Sequence, residues 1–310
     1  MTALRRLIPI GFLAALPPLF WAGNFVMARA LRADIPPIAL SFWRWTIALL
    51  VLLPFAYSGL WRQRALLRRH WAVLTLFALL GVTGYNTFAY LGLQHTTATN
   101  GVLLTSVTPV VIIGLSVVLF RAPLRITQVI GVLLSLAGVV VIAIEGRFRL
   151  FGEMQLNRGD LWILAASLDW ALYSVFLRWR PTALDPKTFL AAIIAIGLLP
   201  LSGLYSWDLA LGHRFEPNAT NLAAIGYVAV FPSVLAYVFW NRAVTEMGPN
   251  RTGQYMHLIP VFGAGLAVLL LGERLHAYHL IGGLMVGAGI ALANGIRWRK
   301  SGGRADRHLR

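Results

Sequence analysis

Residues 109–138 read PVVIIGLSVVLFRAPLRITQVIGVLLSLAG, and residues 260–289 read PVFGAGLAVLLLGERLHAYHLIGGLMVGAG. At an offset of 151 positions, without a gap, the second stretch repeats Pro109, Val110, Gly114, Leu115, Leu124, Gly131, Leu133 and Ala137-Gly138 of the first. A shorter repeat precedes these stretches in each half: Trp21-Ala22 recurs as Trp170-Ala171, at an offset of 149. Each unit is about 150 residues of mostly apolar sequence, which indicates one module that was duplicated and fused.

The composition is typical of an integral membrane protein. The chain is 58% hydrophobic and 12% charged, with a mean hydropathy of +0.71, whereas soluble domains carry about 25% charged residues. A net charge of +16 would suggest nucleic acid in a soluble protein. Here the basic residues lie in short loops and at the chain ends, so no nucleic-acid partner is predicted. Because the chain has no cysteine, no disulfide or thiol chemistry is predicted either.

Ten apolar stretches approach the ~20 helical residues that cross ~30 Å of hydrocarbon. They are predicted at 8–30, 37–57, 71–93, 98–120, 125–144, 159–178, 187–206, 221–241, 252–271 and 277–296. Five fall in each half, and because five is odd, the second half must enter the membrane from the opposite side. The predicted fold is an all-α integral membrane protein of ten transmembrane helices in two inverted five-helix repeats. The repeats are assigned to residues 1–148 and 149–297, with a basic tail at 298–310.

The distribution of arginine and lysine predicts the orientation. If the N-terminus is inside, most of the 27 basic residues lie in cytoplasmic loops and in the tail. This asymmetry follows the positive-inside rule and places both termini in the cytoplasm. The first apolar run is too long for a signal peptide, and Pro17-Pro18 stand where a small-residue cleavage site would lie. The sequence therefore predicts a multi-pass membrane protein whose first apolar run is a spanning helix.

Two charged side chains are predicted to lie deep in the membrane, Arg44 in the second span and Asp169 in the sixth. Charge at this depth is expensive and usually faces a cavity or a partner. In a functional interpretation, Arg44 anchors a substrate carboxylate and Asp169 binds a cation or a proton. In the structural alternative, the two residues stabilise each other, or Arg44 extends its stem to the headgroups.

Aromatic and amide side chains recur in paired spans of both halves. Rings and amides around a cavity suit an amphiphilic organic molecule better than a bare ion. The alternative for any single ring is packing between helices, and a lone buried histidine more often bonds a neighbour than carries a proton. The predicted substrate-binding set, besides Arg44 and Asp169, is Trp21, Asn24, Tyr85, Asn86, Tyr90, Trp170, Tyr173, Tyr237, Trp240, Gln254, Tyr255 and His257.

Prolines and glycines at repeated positions predict mechanical features. Pro109 and Pro260 each remove a backbone hydrogen bond within a span and should kink it. A rocking motion would use such paired kinks, and helix packing is the alternative explanation. Gly131 and Gly138, matched in the second half, lie on one helix face and predict close packing of the fifth span on the tenth.

The chain resembles the drug/metabolite transporter superfamily in its EamA-type branch. The resemblance covers about residues 8–297 and is carried by short motifs whose order and spacing match. These are Trp21-Ala-Gly-Asn24, Phe42-Trp-Arg44-Trp, Tyr90-Leu-Gly-Leu, Thr97-Ala-Thr-Asn100, Pro109, Trp240-Asn-Arg-Ala243, Pro260 and Leu271-Gly-Glu273. The ring-rich cavity is similar to that of YddG-type exporters of aromatic amino acids. The resemblance implies a multi-pass protein of a bacterial inner membrane, with cytoplasmic termini and a central cavity that opens alternately to either side.

One departure from the family pattern concerns a predicted gate residue. The first half has Phe120-Arg121-Ala122 where the second has Leu271-Gly272-Glu273, so the glutamate common to both repeats in many relatives is present once. If Glu273 helps to lock a gate, the two gates of this protein are unequal.

The sequence thus predicts a secondary transporter that exports amino acids, aromatic ones included, and related metabolites. The expected partners are the small-molecule substrate and membrane lipid, in a monomer or a homodimer. No catalytic residue, metal site or cofactor is predicted, since no phosphate loop, zinc-ligand cluster or nucleophile elbow occurs. The alternatives are a carrier for another metabolite or a nucleotide-sugar-like substrate, and a membrane enzyme or scaffold.

Overall fold

All regular structure in the described part of this chain is helical. The computed structural model describes residues 9–96, 101, 104–144, 157–271 and 276–294, and within these ranges it contains helices and no strand. Eight helices in these ranges are long and apolar enough to cross a membrane. The all-helical membrane class is therefore confirmed, while ten spans in an inverted repeat remain a prediction.

The helices follow the predicted spans closely. Those of the first half are α1 (Ile10–Ala30), α2 (Pro37–Arg62), α3 (Arg64–Arg69), α4 (Trp71–Ala78), α5 (Tyr85–His95), α6 (Thr108–Phe120) and α7 (Ile126–Ala143). Those of the second half are α8 (Arg158–Phe176), α9 (Pro186–Ala210), α10 (Ala219–Ala229), α11 (Ala236–Met247), α12 (Pro249–Gly253), α13 (Leu258–Leu271) and α14 (Ala277–Asn294).

The fourth and ninth predicted spans are interrupted at their first third. A turn at Ser106-Val107 precedes α6, and a 3₁₀ turn at 254–257 precedes α13. Pro109 and Pro260 therefore lie in the first turn of a helix, where a missing N–H costs nothing. The predicted kinks exist as breaks, but each break comes before its proline rather than at it.

Two π-helical turns break the α-helical ladder at repeat-equivalent positions. The first, Leu79–Gly84, joins α4 to α5, and the second, Val230–Leu235, joins α10 to α11. Their bounds differ by the same 151 residues that relate the two halves of the sequence. A π turn leaves backbone groups less well paired than an α turn and occurs frequently at functional sites. Both turns lie in the middle of long spans.

Helices related by the repeat pack against each other in antiparallel pairs. A Cβ built on Gly131 would lie 2.5 Å from Gly289 O, and one on Gly138 would lie 2.6 Å from Gly282 O, so α7 and α14 are in backbone contact. This contact confirms the predicted close packing of the fifth span on the tenth. The helices α2 and α9 pair in the same way.

The remaining contacts between helices also occur in pairs that the repeat relates. The helix α1 packs on α11 as α5 packs on α8, and α1 packs on α13 as α6 packs on α8. The main core of buried apolar side chains lies among these helices and draws on both halves. A centre built this way brings side chains from both repeats to one place.

Candidate substrate-binding site

A cluster of aromatic rings from both halves fills the centre of the molecule. The indole of Trp170, on α8, is its hub and is fully buried. The rings whose centroids lie 5.0–5.5 Å from it are Trp21, Tyr85, Tyr173, Tyr237 and Trp240. All six belong to the predicted substrate-binding set, and this set of residues is called the ring cluster below.

The rings pack edge to face and in stacks, so they occupy the space where a ring-walled cavity is predicted. Trp170 and Tyr173, three residues apart on one helix face, stack at an interplanar angle of 17°. Trp21 meets the hub edge-on at 82°. A substrate that binds here must displace rings from one another, which requires movement of the helices that carry them.

Arg44 lies beside the ring cluster and is almost fully buried, with 1% of its surface exposed. Its Nε donates to Ser233 Oγ at 2.5 Å, and its Nη1 donates to Tyr90 OH at 2.7 Å and to Asn24 Oδ1 at 3.3 Å. Its Nη2 donates to the carbonyl of Pro232 at 3.1 Å. The guanidinium is therefore bound to neutral acceptors, and its positive charge is not compensated by them.

The carbonyl of Pro232 links Arg44 to the ring cluster. It lies in the π turn Val230–Leu235 and also accepts a bond from Trp21 Nε1 at 3.1 Å. A π turn shifts the backbone pairing, so carbonyls of this turn can accept side-chain donors. The second repeat thus supplies the backbone acceptor, and the first supplies both donors.

Asp169 lies at the other π turn, away from Arg44. No salt bridge within 4 Å joins Asp169 to Arg44, and both residues lie within the described ranges, so they do not stabilise each other directly. The carboxylate receives a hydrogen bond from the backbone of Tyr85, while its Oδ2 has no hydrogen-bond partner. A Cβ built on Gly84 would lie 2.9 Å from that Oδ2. Asp169 therefore rests against the turn Leu79–Gly84.

An asparagine–tyrosine hydrogen bond flanks the rings in each half, with the two residue types exchanged. In one half Tyr90 OH donates to Asn24 Oδ1 at 2.8 Å. In the other, Tyr173 OH donates to Asn241 Oδ1 at 2.9 Å. Tyr173 is the repeat equivalent of Asn24, and Asn241 is that of Tyr90. The bond is kept although its partners have changed places.

The remaining predicted residues lie at other contacts. Gln254 Nε2 bonds the carbonyl of Asn250 at 3.2 Å, and Tyr255 packs against the apolar contact of α7 with α14. His257 bonds Ser135 Oγ at 2.5 Å and the carbonyl of Ser106 at 2.9 Å, as the structural interpretation expects. The structure thus brings none of these three side chains into the ring contacts, and Glu273 lies outside the described residues.

Several buried polar atoms around the ring cluster have no hydrogen-bond partner. Buried polar groups in native proteins are nearly always bonded, so each of these atoms has unused capacity for a ligand or water. The atoms are Trp45 Nε1, Asn86 Nδ2, Ser167 Oγ, Asp169 Oδ2 and Trp170 Nε1.

Pro232, Ser233 and Trp45 belong to the site but were not predicted from the sequence. Ser233 and Pro232 bind Arg44, and the Trp45 ring lies 5.1 Å from Tyr237. A proline inside an apolar span was the available signal for this irregular turn, because its missing N–H frees the carbonyl of Val228, one helical turn earlier. Ser233, the next residue, donates its Oγ hydrogen to that carbonyl of Val228 at 2.6 Å.

A cavity of about 490 Å³ opens at the end of the molecule that is predicted to be cytoplasmic. It lies among the ends of α6, α8 and α11 and the short helix α12. At the opposite end α5 and α8 are in backbone contact, where a Cβ built on Gly159 would lie 2.5 Å from Gly92 O.

Long apolar helices from two related halves, meeting at buried charges and rings, define a membrane carrier of small solutes. The chain belongs to the EamA-like transporter family, whose model matches residues 9–144 and 157–295. It is 31% identical over 282 residues to an uncharacterized transporter of Archaeoglobus fulgidus, covering 90% of this chain and 95% of that protein. It is 24% identical over 306 residues to a probable amino-acid metabolite efflux pump of Escherichia coli, covering 94% and 97%. A solved crystal structure has the same fold, with a TM-score of 0.71 at 22% identity over 92% of this chain and 94% of the other.

Proposed function

We propose that this transporter exports amino acids, aromatic ones included, across a bacterial inner membrane by alternating access. The observation that carries the proposal is the buried guanidinium of Arg44 beside the ring cluster, bound to neutral acceptors alone. A charge in this position is costly unless it serves a partner, and a carboxylate is the partner that a guanidinium binds best.

The surroundings of Arg44 suit the rest of an aromatic amino acid. The rings of Trp21, Trp170 and Trp240 offer faces and edges for a substrate ring. Asp169, with a free carboxylate oxygen, is available to an ammonium group or a proton. The proposal assigns the carboxylate end to Arg44 with Asn24, and the side chain to the ring cluster.

The packing of the halves supports alternating access through an inverted repeat. Equivalent helices α7 and α14 run antiparallel, as an inversion requires. A cavity is open at one end, while Gly92 and Gly159 are in backbone contact at the other. Rocking of one half against the other would exchange these two states and separate the rings.

The relatives and the count of deep cations favour amino acids over phosphate-bearing substrates. One relative is named as a probable amino-acid metabolite efflux pump. Among the described residues Arg44 is the only arginine or lysine that is fully buried. A nucleotide-sugar-like substrate would call for more than one deep cation, because its phosphates carry more than one negative charge.

Counterflow tests the proposal. Purified protein in proteoliposomes is preloaded with an unlabelled amino acid, and uptake of radiolabelled phenylalanine or tryptophan is measured without an imposed pH gradient. We expect accumulation above empty liposomes that is competed by other aromatic amino acids. No counterflow of any of the twenty amino acids, with protein that elutes as a single folded species, would reject amino-acid export.

A further inference from the structure

The cavity at the predicted cytoplasmic end is lined by basic residues. Three arginines, Arg178, Arg180 and Arg251, line it, and none of its lining residues is acidic. Within the described residues no carboxylate lies within 4 Å of these three guanidinium groups, since the salt bridges found there are Asp208–His213 and Arg242–Glu246. The cavity therefore concentrates positive charge without an internal counter-ion.

Aromatic rings hold two of these guanidinium groups in place. The Cζ of Arg178 lies 5.0 Å from the ring centroid of Phe120, and that of Arg180 lies 5.6 Å from the ring centroid of Phe189. Stacking on a ring uses the face of a guanidinium and leaves its N–H edge available to an anion. Partial burial lowers the pKa of Arg180, which indicates that its charge is incompletely solvated and would gain from an anion.

Neutral polar groups in the cavity are also unsatisfied. Ser116, which is 3% exposed, lines the cavity, and its Oγ has no hydrogen-bond partner. The Oδ1 of Asn250, also in the lining, has none either. A buried hydroxyl that can donate beside three cations is a typical feature of a binding site for an oxygen anion.

The cavity leads towards the ring cluster. Its lining includes Val244 and Thr245 on α11. One helical turn deeper lie Asn241, bound to Tyr173, and Trp240, bound to Ser174 Oγ at 3.1 Å. Its volume of about 490 Å³ is within the range of small-molecule pockets. The cavity lining and the ring cluster are thus one helical turn apart along α11.

We propose that this cavity is an anion-binding vestibule, in which Arg180, Arg251 and Ser116 capture the carboxylate of an organic substrate before it reaches Arg44. The inference rests on the proposed amino-acid substrate only for the identity of the carboxylate. The same chemistry would also bind the phosphate of an anionic lipid headgroup at the membrane surface, so the experiment must separate the two sources.

Arginine modification reports occupancy residue by residue. Full-length protein in nanodiscs of neutral phosphatidylcholine is treated with phenylglyoxal, and modified arginines are quantified by peptide mass spectrometry. The probe is phenylacetate, and its neutral isostere phenylacetamide is the matched control ligand. We expect phenylacetate to slow modification of Arg180 and Arg251 by about fivefold or more through charge-assisted bonds, and phenylacetamide to have no effect. Arg242, already paired with Glu246 at 2.8 Å, is the internal control.

Two results would overturn the vestibule. The first is equal modification with and without phenylacetate, or equal protection by phenylacetamide. The second is protection of the arginines by phosphatidylglycerol alone, with no further protection when phenylacetate is added. The occupant would then be a lipid headgroup. Protection by phenylacetate in both lipids supports a soluble carboxylate.

Transport by variants separates this inference from the proposed function. For Arg180→Gln with Arg251→Gln, we expect the KM for phenylalanine to rise about tenfold with kcat maintained, because Arg44 and the rings are unchanged. The lysine variants at both positions should recover part of the affinity, and Arg242→Gln should behave as the unaltered protein. Normal KM in the double variant rejects the vestibule alone. Protection by phenylacetate without any amino-acid counterflow rejects amino-acid export alone.

Discussion

The two π turns occupy equivalent positions, but one contacts a basic residue and the other an acidic residue. At Val230–Leu235 the partner is the guanidinium of Arg44, bonded to Ser233 and to the Pro232 carbonyl. At Leu79–Gly84 the partner is Asp169, and the carbonyl of Gly81 accepts from Tyr237 OH instead. At the offset of 149 that relates the first residues of α2 and α9, Arg44 corresponds to Ile193, which is buried and apolar.

This difference shows which part of the duplicated module is retained and which part has diverged. The backbone opening is present in both halves, because a π turn frees acceptors wherever it occurs. The side chain at the turn differs, and so one repeat presents an arginine and the other an aspartic acid. A symmetric scaffold thereby gains two chemically different ends at its centre.

Replacement of Arg44 should have the largest effect on transport. We expect Arg44→Met to reduce phenylalanine counterflow by about 100-fold, since loss of a buried hydrogen-bonded charge costs several kcal/mol. Ile193→Met, the equivalent position in the other repeat, should retain transport. Thermal unfolding in detergent checks that both variants fold. Comparable transport by the two variants would contradict the assignment of Arg44.

A change in the π turn Leu79–Gly84 should have the next largest effect. A Cβ at Gly81 would lie 2.6 Å from Tyr173 Cε2, so Gly81→Ala should destabilise the protein by about 1–3 kcal/mol through overpacking. Gly226→Ala, in the other half, adds a Cβ with nothing within 4 Å among the described residues and serves as control. Melting temperature and counterflow are measured together. An unshifted melting temperature in Gly81→Ala would mean that the turn is not closely packed on the rings.

The exchanged asparagine–tyrosine bonds allow a finer comparison. Tyr90 OH bonds both Asn24 and the Arg44 guanidinium, whereas Tyr173 OH bonds Asn241. Tyr90→Phe should therefore lower transport about tenfold or more, and Tyr173→Phe by about fivefold, because bonds to charged groups are the stronger ones. The reverse order in counterflow assays would show that the cationic half is not the more sensitive one.

The smallest effect is expected from replacement of Asp169. Asp169→Asn keeps an acceptor for the backbone of Tyr85 but cannot carry a proton. We expect exchange at equal pH on both sides to change little, and the response to an imposed pH gradient to disappear. Asp185→Asn, at the exposed start of α9, is the control. A pH response that survives Asp169→Asn intact would remove Asp169 as the proton carrier.

Hydropathy made the helical class and the positions of the spans predictable. Apolar runs of spanning length have few alternatives in a membrane, where each backbone group must be satisfied within its own helix. The two breaks that precede α6 and α13 were located only approximately, because proline marks where a helix can begin as well as where one bends. The charges at Arg44 and Asp169 also stood out, because charge is rare at that depth.

The contacts among the predicted residues could not be derived from the sequence. Gln254, Tyr255 and His257 were grouped with the rings because they lie in a paired span, yet their bonds go to Asn250, to the contact of α7 with α14, and to Ser135. Whether a polar side chain faces the centre or a neighbouring helix depends on helix rotation. Helix rotation is set by packing between elements that are far apart in the sequence.

The sequence by itself determined that this protein is a duplicated helical membrane protein, with Arg44, Asp169 and a recurring set of rings within its spans. These features follow from local composition, from the membrane's demand for apolar helices and from the visible repeat. Only the tertiary structure decided that the rings close on one another, that Arg44 uses the carbonyl of Pro232, and that the charges lie at separate π turns. The reason is that π turns and ring contacts depend on how the two halves meet, which no local pattern encodes.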